Sequence, residues 1–131
     1  MGMVNSMVDL GPANTGGKHL VPVVIFIQSP VVNVEHARVP VPPFSGENAV
    51  EIAYSSLSVR VLTSGSPVMQ VRNPAGNVLI SYAIGGAGVT VGNVQIDTLA
   101  IGDHLRFGFT NIGVGLADVC CTVWLKLPTL A

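Results

Sequence analysis

The chain has 131 residues, the length of one domain, and 6 basic against 7 acidic residues give it a net charge of -1, so it carries no basic footprint for nucleic acid. Charged residues make up 10% of it and hydrophobic ones 49%, where an ordinary soluble domain is about 25% charged. A monomer of this size exposes about 6,500 Å², or about 500 Å² for each charge; a surface so thinly charged predicts cover by other protein. The longest apolar stretches, Val21 to Ile27 and Val119 to Leu125, are shorter than the ~20 residues of a membrane-spanning helix, and no secretory leader is visible.

Residues 1–20 lack alternation and are rich in small, turn-forming residues, which predicts an extended arm that orders when a neighbour holds it. Within it, GPANTGGKHL approaches the phosphate-loop pattern but fails twice: Gly17 pushes Lys18 out of register, and His19 stands where a hydroxyl should hold magnesium. A β-branched run containing Pro22 follows, where a phosphate loop needs a helix N-terminus. The start MGMVNS fits the myristoylation pattern through Gly2 and Ser6, a pattern short enough to recur by chance.

From residue 21 to 131 the organising signal is alternation with a period of two. Strands are predicted over Val21–Gln28 and Val31–Val39. The proline-rich Val39–Gly46 then reads as a crossover or exposed loop, unsuited to a central strand. ENAVEIAYSSL (47–57) carries a capping-box pattern at Asn48 and Glu51, yet Val50, Ile52 and Tyr54 alternate and a strand is preferred. It leads into LSVRVLT (57–63), where Leu57, Val59 and Val61 oppose Ser58, Arg60 and Leu62. Further strands follow over Val68–Arg72, Asn77–Ile84 and Val89–Asp97. In HLRFGFT (104–110), Leu105, Phe107 and Phe109 share a face, as do Val119, Cys121, Val123 and Leu125 in ADVCCTVWLKL (117–127). Turn chemistry lies between them at TSGSP, NPAG, GGAG and IGD. The sum is an all-β chain of about eight strands, an antiparallel, jelly-roll-like sandwich over 21–131 behind an arm over 1–20.

Catalytic patterns are weak, and neither catalytic, cofactor-binding nor metal-ligating residues are assigned. Glu35 and His36 are strand neighbours that point to opposite faces. Asp103 and His104 sit beside a turn, where an Asp bonds its own backbone. No G-x-S-x-G elbow is present, and the carboxylates lack calcium-loop spacing. Cys120 and Cys121 are adjacent, so on a strand they face opposite sides and read as packing residues.

The run DTLAIGDHLRFGFTNIG (97–113), with "GD" opening one strand, and the tryptophan-bearing last strand DVCCTVWLKL (118–127) resemble small β-sandwich proteins of tailed-phage virions, among them capsid decoration or cement proteins. The likeness is one of pattern over Val21 to Leu127 and carries no site residues over. It implies a homotrimer seated on the major capsid protein or another virion protein, located on the capsid surface; the charge, the short apolar runs and the weak catalytic patterns add the expectations of no nucleic acid, no membrane, no cofactor and no enzyme activity. The alternative is a glycan- or ligand-binding sandwich such as a tail or fibre domain. At 5% aromatic residues that reading has few rings on which to stack a sugar, and Trp124 is expected as a wall of the sandwich or a subunit contact.

Overall fold

The computed structural model describes residues 18–41, 50–100 and 102–128; most of the expected arm and most of the proline-rich segment lie outside them. Ten strands follow in chain order: β1 (Lys18–Ile27), β2 (Glu35–Pro40), β3 (Val50–Val61), β4 (Val68–Arg72), β5 (Val78–Ala83), β6 (Gly88–Val91), β7 (Asn93–Val94), β8 (Thr98–Leu99), β9 (His104–Asn111) and β10 (Ala117–Pro128). No helix occurs among the described residues. The strands form two antiparallel sheets packed as a β-sandwich. The first has the order β1-β10-β3-β6, with β8 also on β3, and the second β2-β9-β4-β5-β7.

The pairings are nested: β4 with β5, β3 with β6 and β8, β2 with β9, and β1 with β10. The chain thus runs as one long antiparallel ribbon, turning between β4 and β5, whose two arms are wrapped across both sheets. Proline placement agrees with this path. Pro22 lies in β1 and Pro40 ends β2, both edge strands, where a missing N–H leaves no ladder partner unsatisfied.

Alternation sorts the faces as the sequence predicts in the longest strands. Val119, Cys121, Val123 and Leu125 of β10 are buried, and so are Leu105, Phe107 and Phe109 of β9; Met69, Val71, Ile80 and Tyr82 meet them from β4 and β5 in one core. Turns fall where expected. At 73–77, Asn73 Oδ1 accepts from Asn77 N at 2.9 Å, and Gly76 has a φ of 89°, a left-handed conformation that glycine adopts without strain.

The structure differs from the sequence reading in five places. β1 begins at Lys18, inside the 1–20 segment expected as an arm, because Lys18, His19 and Leu20 pair with Pro128, Leu127 and Lys126. β2 begins only at Glu35; Asn33 has a φ of 60°, which breaks the expected 31–39 strand. The expected 89–97 strand divides at Gly92, where the chain leaves the first sheet for the second and passes over a core ring: a Cβ there would lie 2.6 Å from Tyr82 Cε2. That division, with the short β8, raises the count from about eight to ten. Finally, Tyr54 does not continue the inward face of Val50 and Ile52. The β3–β10 register shifts between Trp124 and Leu125, so Ala53 is an extra residue. Beyond it the parity flips, turning Tyr54 out and Ser55 in. At the far end of β3, Val61 is exposed and Leu62 packs on the core, the reverse of the expected alternation.

Candidate functional site

The bulge at Ala53 has consequences on both sides of the first sheet. Inside, Ser55 is the one buried polar residue among those described. Its hydroxyl donates to the Thr122 carbonyl at 2.7 Å and accepts from the Tyr82 hydroxyl, which in turn accepts from the Cys121 thiol at 3.3 Å. Each group has one proton to give, and this chain, thiol to phenol to serine to carbonyl, uses all three. Burial pushes the Tyr82 phenol well above its ordinary value and raises the Cys121 thiol. Ser55, Tyr82 and Cys121 are each 0% exposed, so this serine and this thiol meet no substrate; the cluster is a satisfied polar seam between the sheets.

Outside, the flipped Tyr54 lies beside its cross-strand neighbour Trp124, with ring centroids 6.2 Å apart at 24°. The outward residues of the first sheet fall in rows across β1, β10, β3 and β6. Phe26, Cys120, Ser58 and Val89 form one row; Val24, Thr122, Ser56 and Val91 the next; Pro22, Trp124 and Tyr54 a third. Val24 is 58% exposed, Phe26 63%, Val89 76% and Val91 72%. Charge appears only at the ends of this face, with Arg60 beyond one end and Lys126 and Glu51 paired beyond the other. At strand spacings near 4.8 Å and rises near 3.3 Å, the three rows cover about 350 Å², as large as the largest apolar patch of an ordinary monomer. The β6 edge adds a short strand with two exposed valines, the kind of edge that free proteins blunt with charge.

The second sheet presents the opposite chemistry. Arg38, Arg106 and Arg72 are cross-strand neighbours on β2, β9 and β4, in one outward row. Glu35 bridges two of them, accepting from Arg38 at 3.0 Å and from Arg106 Nε at 2.8 Å. Hydrogen bonds from these two guanidiniums hold its carboxyl down at about 2. Beside the row lies a groove of about 260 Å³, floored by Gly108 and walled by the 33–35 segment and the side chains of Gln70, Arg72 and Arg106. Gly108 is required there, since a Cβ would stand 2.9 Å from the Val34 carbonyl oxygen.

The residues weighed in the sequence are not gathered into a catalytic site. His36 Nε2 accepts from Val31 N at 2.9 Å and closes the loop before β2. Asp103 Oδ2 accepts from Ala100 N at 3.3 Å, the backbone bond expected of a turn aspartate. No three His, Cys, Asp or Glu side chains lie close enough to hold a metal ion among the described residues. Sequence reasoning missed the arginine row, because the three residues stand 34 positions apart and only the strand register brings them together. It also missed the apolar face as a face, since that needs the order of four strands. No protein-family model matches the chain, and no curated protein matches it.

Proposed function

We propose that this protein is a structural virion component of the capsid decoration or cement type, which self-associates and stabilises a protein lattice. The observation that carries the reading is the apolar outer face of the first sheet, whose occupant is a second copy of the chain. A face this size with its charges only at the ends has no field of its own to repel a copy of itself, and in water it favours burial. One such patch falls short of the ~800 Å² that each partner contributes to a stable interface. A ring in which every subunit meets two neighbours makes up the difference, in keeping with the trimer that the phage-virion resemblance implies. We read the nested strand path as that of a jelly roll, an architecture at home in viral capsids, and on that reading it supports the same function.

The Tyr54–Trp124 stack favours a second reading, a glycan-binding module using the exposed Tyr54 and the half-buried Trp124 as a platform. The two are separated by light scattering at micromolar protomer concentration. Assembly requires a particle of several subunits that dissociates to a folded monomer in the variants Phe26→Asp and Val91→Asp. A monomeric parent protein overturns the assembly reading. A monomer whose tryptophan fluorescence also shifts on titration with neutral oligosaccharides favours the glycan reading.

A further inference from the structure

We propose that the groove beside the arginine row receives an acidic side chain of a partner protein, with the carboxylate held between Arg106 and Arg72. The inference rests on the assembly reading only for the partner being a protein of the lattice.

Cation density comes first. The chain has 6 basic residues, and three of them, Arg38, Arg106 and Arg72, stand side by side across adjacent strands. Like charges directly opposite each other destabilise a sheet, so the row works against the fold unless anions answer it. Among the described residues Glu35 is the one carboxylate bonded to it, which leaves two positive charges without a bonded anion there. Arg106 gives only its Nε to Glu35, so the four N–H bonds of its terminal nitrogens have no protein partner among the described residues. Arg72 is fixed by neutral acceptors, Gly76 O at 2.9 Å and Gln70 Oε1, and keeps its charge and its remaining donors. A guanidinium held in place by neutral groups, next to another with its fork open, matches the planar, bidentate geometry of a carboxylate.

The groove selects the source of that carboxylate. At about 260 Å³ it lies below the range of pockets that enclose a whole small ligand. The rings of Phe107 and Phe109 on its lining strand point into the core, where both are buried, so no aromatic surface is offered to a sugar or a base. Its lining, by contrast, includes Val34, 47% exposed, and Val31 and Val32, 50% and 38% exposed, lie just before it in the chain. Arginine anchors at the centre of a patch with apolar neighbours are the pattern of a protein interface.

The test uses the whole protein labelled with ¹⁵N, titrated with the blocked peptide acetyl-Ala-Val-Glu-Val-Ala-amide at low salt. The expected result is saturable, millimolar binding, with shifts at the amides of Val34, Gly108 and Thr110 that fade as salt is added. Replacing the peptide's glutamate with glutamine should abolish them. In the protein, Arg106→Lys and Arg72→Lys should each weaken binding about tenfold, the value of one charged hydrogen bond. Glu35→Gln should tighten it, because it removes the competing negative charge. Light scattering of the same variants reports self-association through the other sheet, so failure here is distinguishable from failure of the assembly reading. The proposal is overturned if the glutamine peptide binds equally well, if Glu35→Gln binds no tighter, or if inorganic phosphate or glucuronate binds more tightly than the peptide. Either of the last two ligands would mark a site for free anions.

Discussion

Replacing Ser55 with alanine should cost more than replacing Tyr82 with phenylalanine, although the serine is the smaller residue. Tyr82→Phe removes the middle of the buried chain but strands no strong donor: the Ser55 hydroxyl keeps its bond to the Thr122 carbonyl, and only the weak Cys121 thiol loses its acceptor. The cost is that of ordinary hydrogen bonds, about 1 kcal/mol. Ser55→Ala removes the acceptor of the Tyr82 hydroxyl, which is 0% exposed and beyond the reach of water. A buried hydroxyl whose proton is left without an acceptor costs about 1–3 kcal/mol, and the lost Thr122 bond adds about 1 kcal/mol more. The double variant has no stranded hydroxyl, so it should be more stable than Ser55→Ala alone by about 1–2 kcal/mol. Urea unfolding at fixed protomer concentration measures all four proteins, with midpoints compared at a common slope. If the two single costs simply add in the double variant, to within about 0.5 kcal/mol, the proton chain drawn above is wrong.

Leu125→Ala, at a side chain 1% exposed, should lower stability by about 2–5 kcal/mol, and an unchanged urea midpoint would refute the β10 register. Gly92→Ala should cost about 1–3 kcal/mol, read by thermal unfolding, because the new methyl meets the Tyr82 ring. In acid, the Glu35 contribution is full above the ordinary glutamate pKa of about 4.3 and is lost as the pH falls toward its folded value of about 2; Glu35→Gln should flatten that limb of the stability curve. In alkali, the Tyr82 phenol is raised, so its contribution is full below a pH of about 10 and declines above it; ultraviolet titration should show one of the two tyrosines ionising only with unfolding. Cys121 should resist thiol reagents until the protein unfolds. Cys120, on the outer face, should react in a monomeric Phe26→Asp variant and be shielded in the assembly.

The fold class was legible in the sequence because β10 and β9 each bury one parity of residues without interruption, and a period of two survives any error in strand order. What escaped depends on single irregularities. The extra residue Ala53 leaves no mark in composition, since "EIAYSS" reads equally well with Tyr54 inside. Only the opposing Trp124–Leu125 step reveals the shift, and with it both the buried serine and the exposed ring stack. Gly92 looks like any strand glycine until the Tyr82 ring is seen beneath it. Asp118, with a φ of 56°, opens β10 in a left-handed conformation that aspartate tolerates and that no local pattern announces.

The scarcity of charge, evident from composition alone, takes on a direction once the sheets are placed. Of the six cations, three lie on the outer face of the second sheet, while the outer face of the first carries only small hydroxyls, a thiol and large apolar groups between its ends. A free domain gains solubility by interspersing charge over its whole exterior. Here the charge is withheld from one face and concentrated on the other, a distribution that suits a subunit with two different neighbours: copies of itself packed on the apolar side, and an acidic partner on the side of the arginines. Nested pairing also brings residues 18 and 128 together at one end of the first sheet, so the described chain begins at Lys18, close to Leu20 and Lys126 at the border of the apolar face, and the notion of residues 1–17 as an arm for assembly is tested by deleting them. Their removal should therefore leave unfolding of the sandwich unchanged while weakening the assembly. A truncated chain that fails to fold, or that assembles as tightly as the parent protein, would separate the arm from the face and undo this account of it.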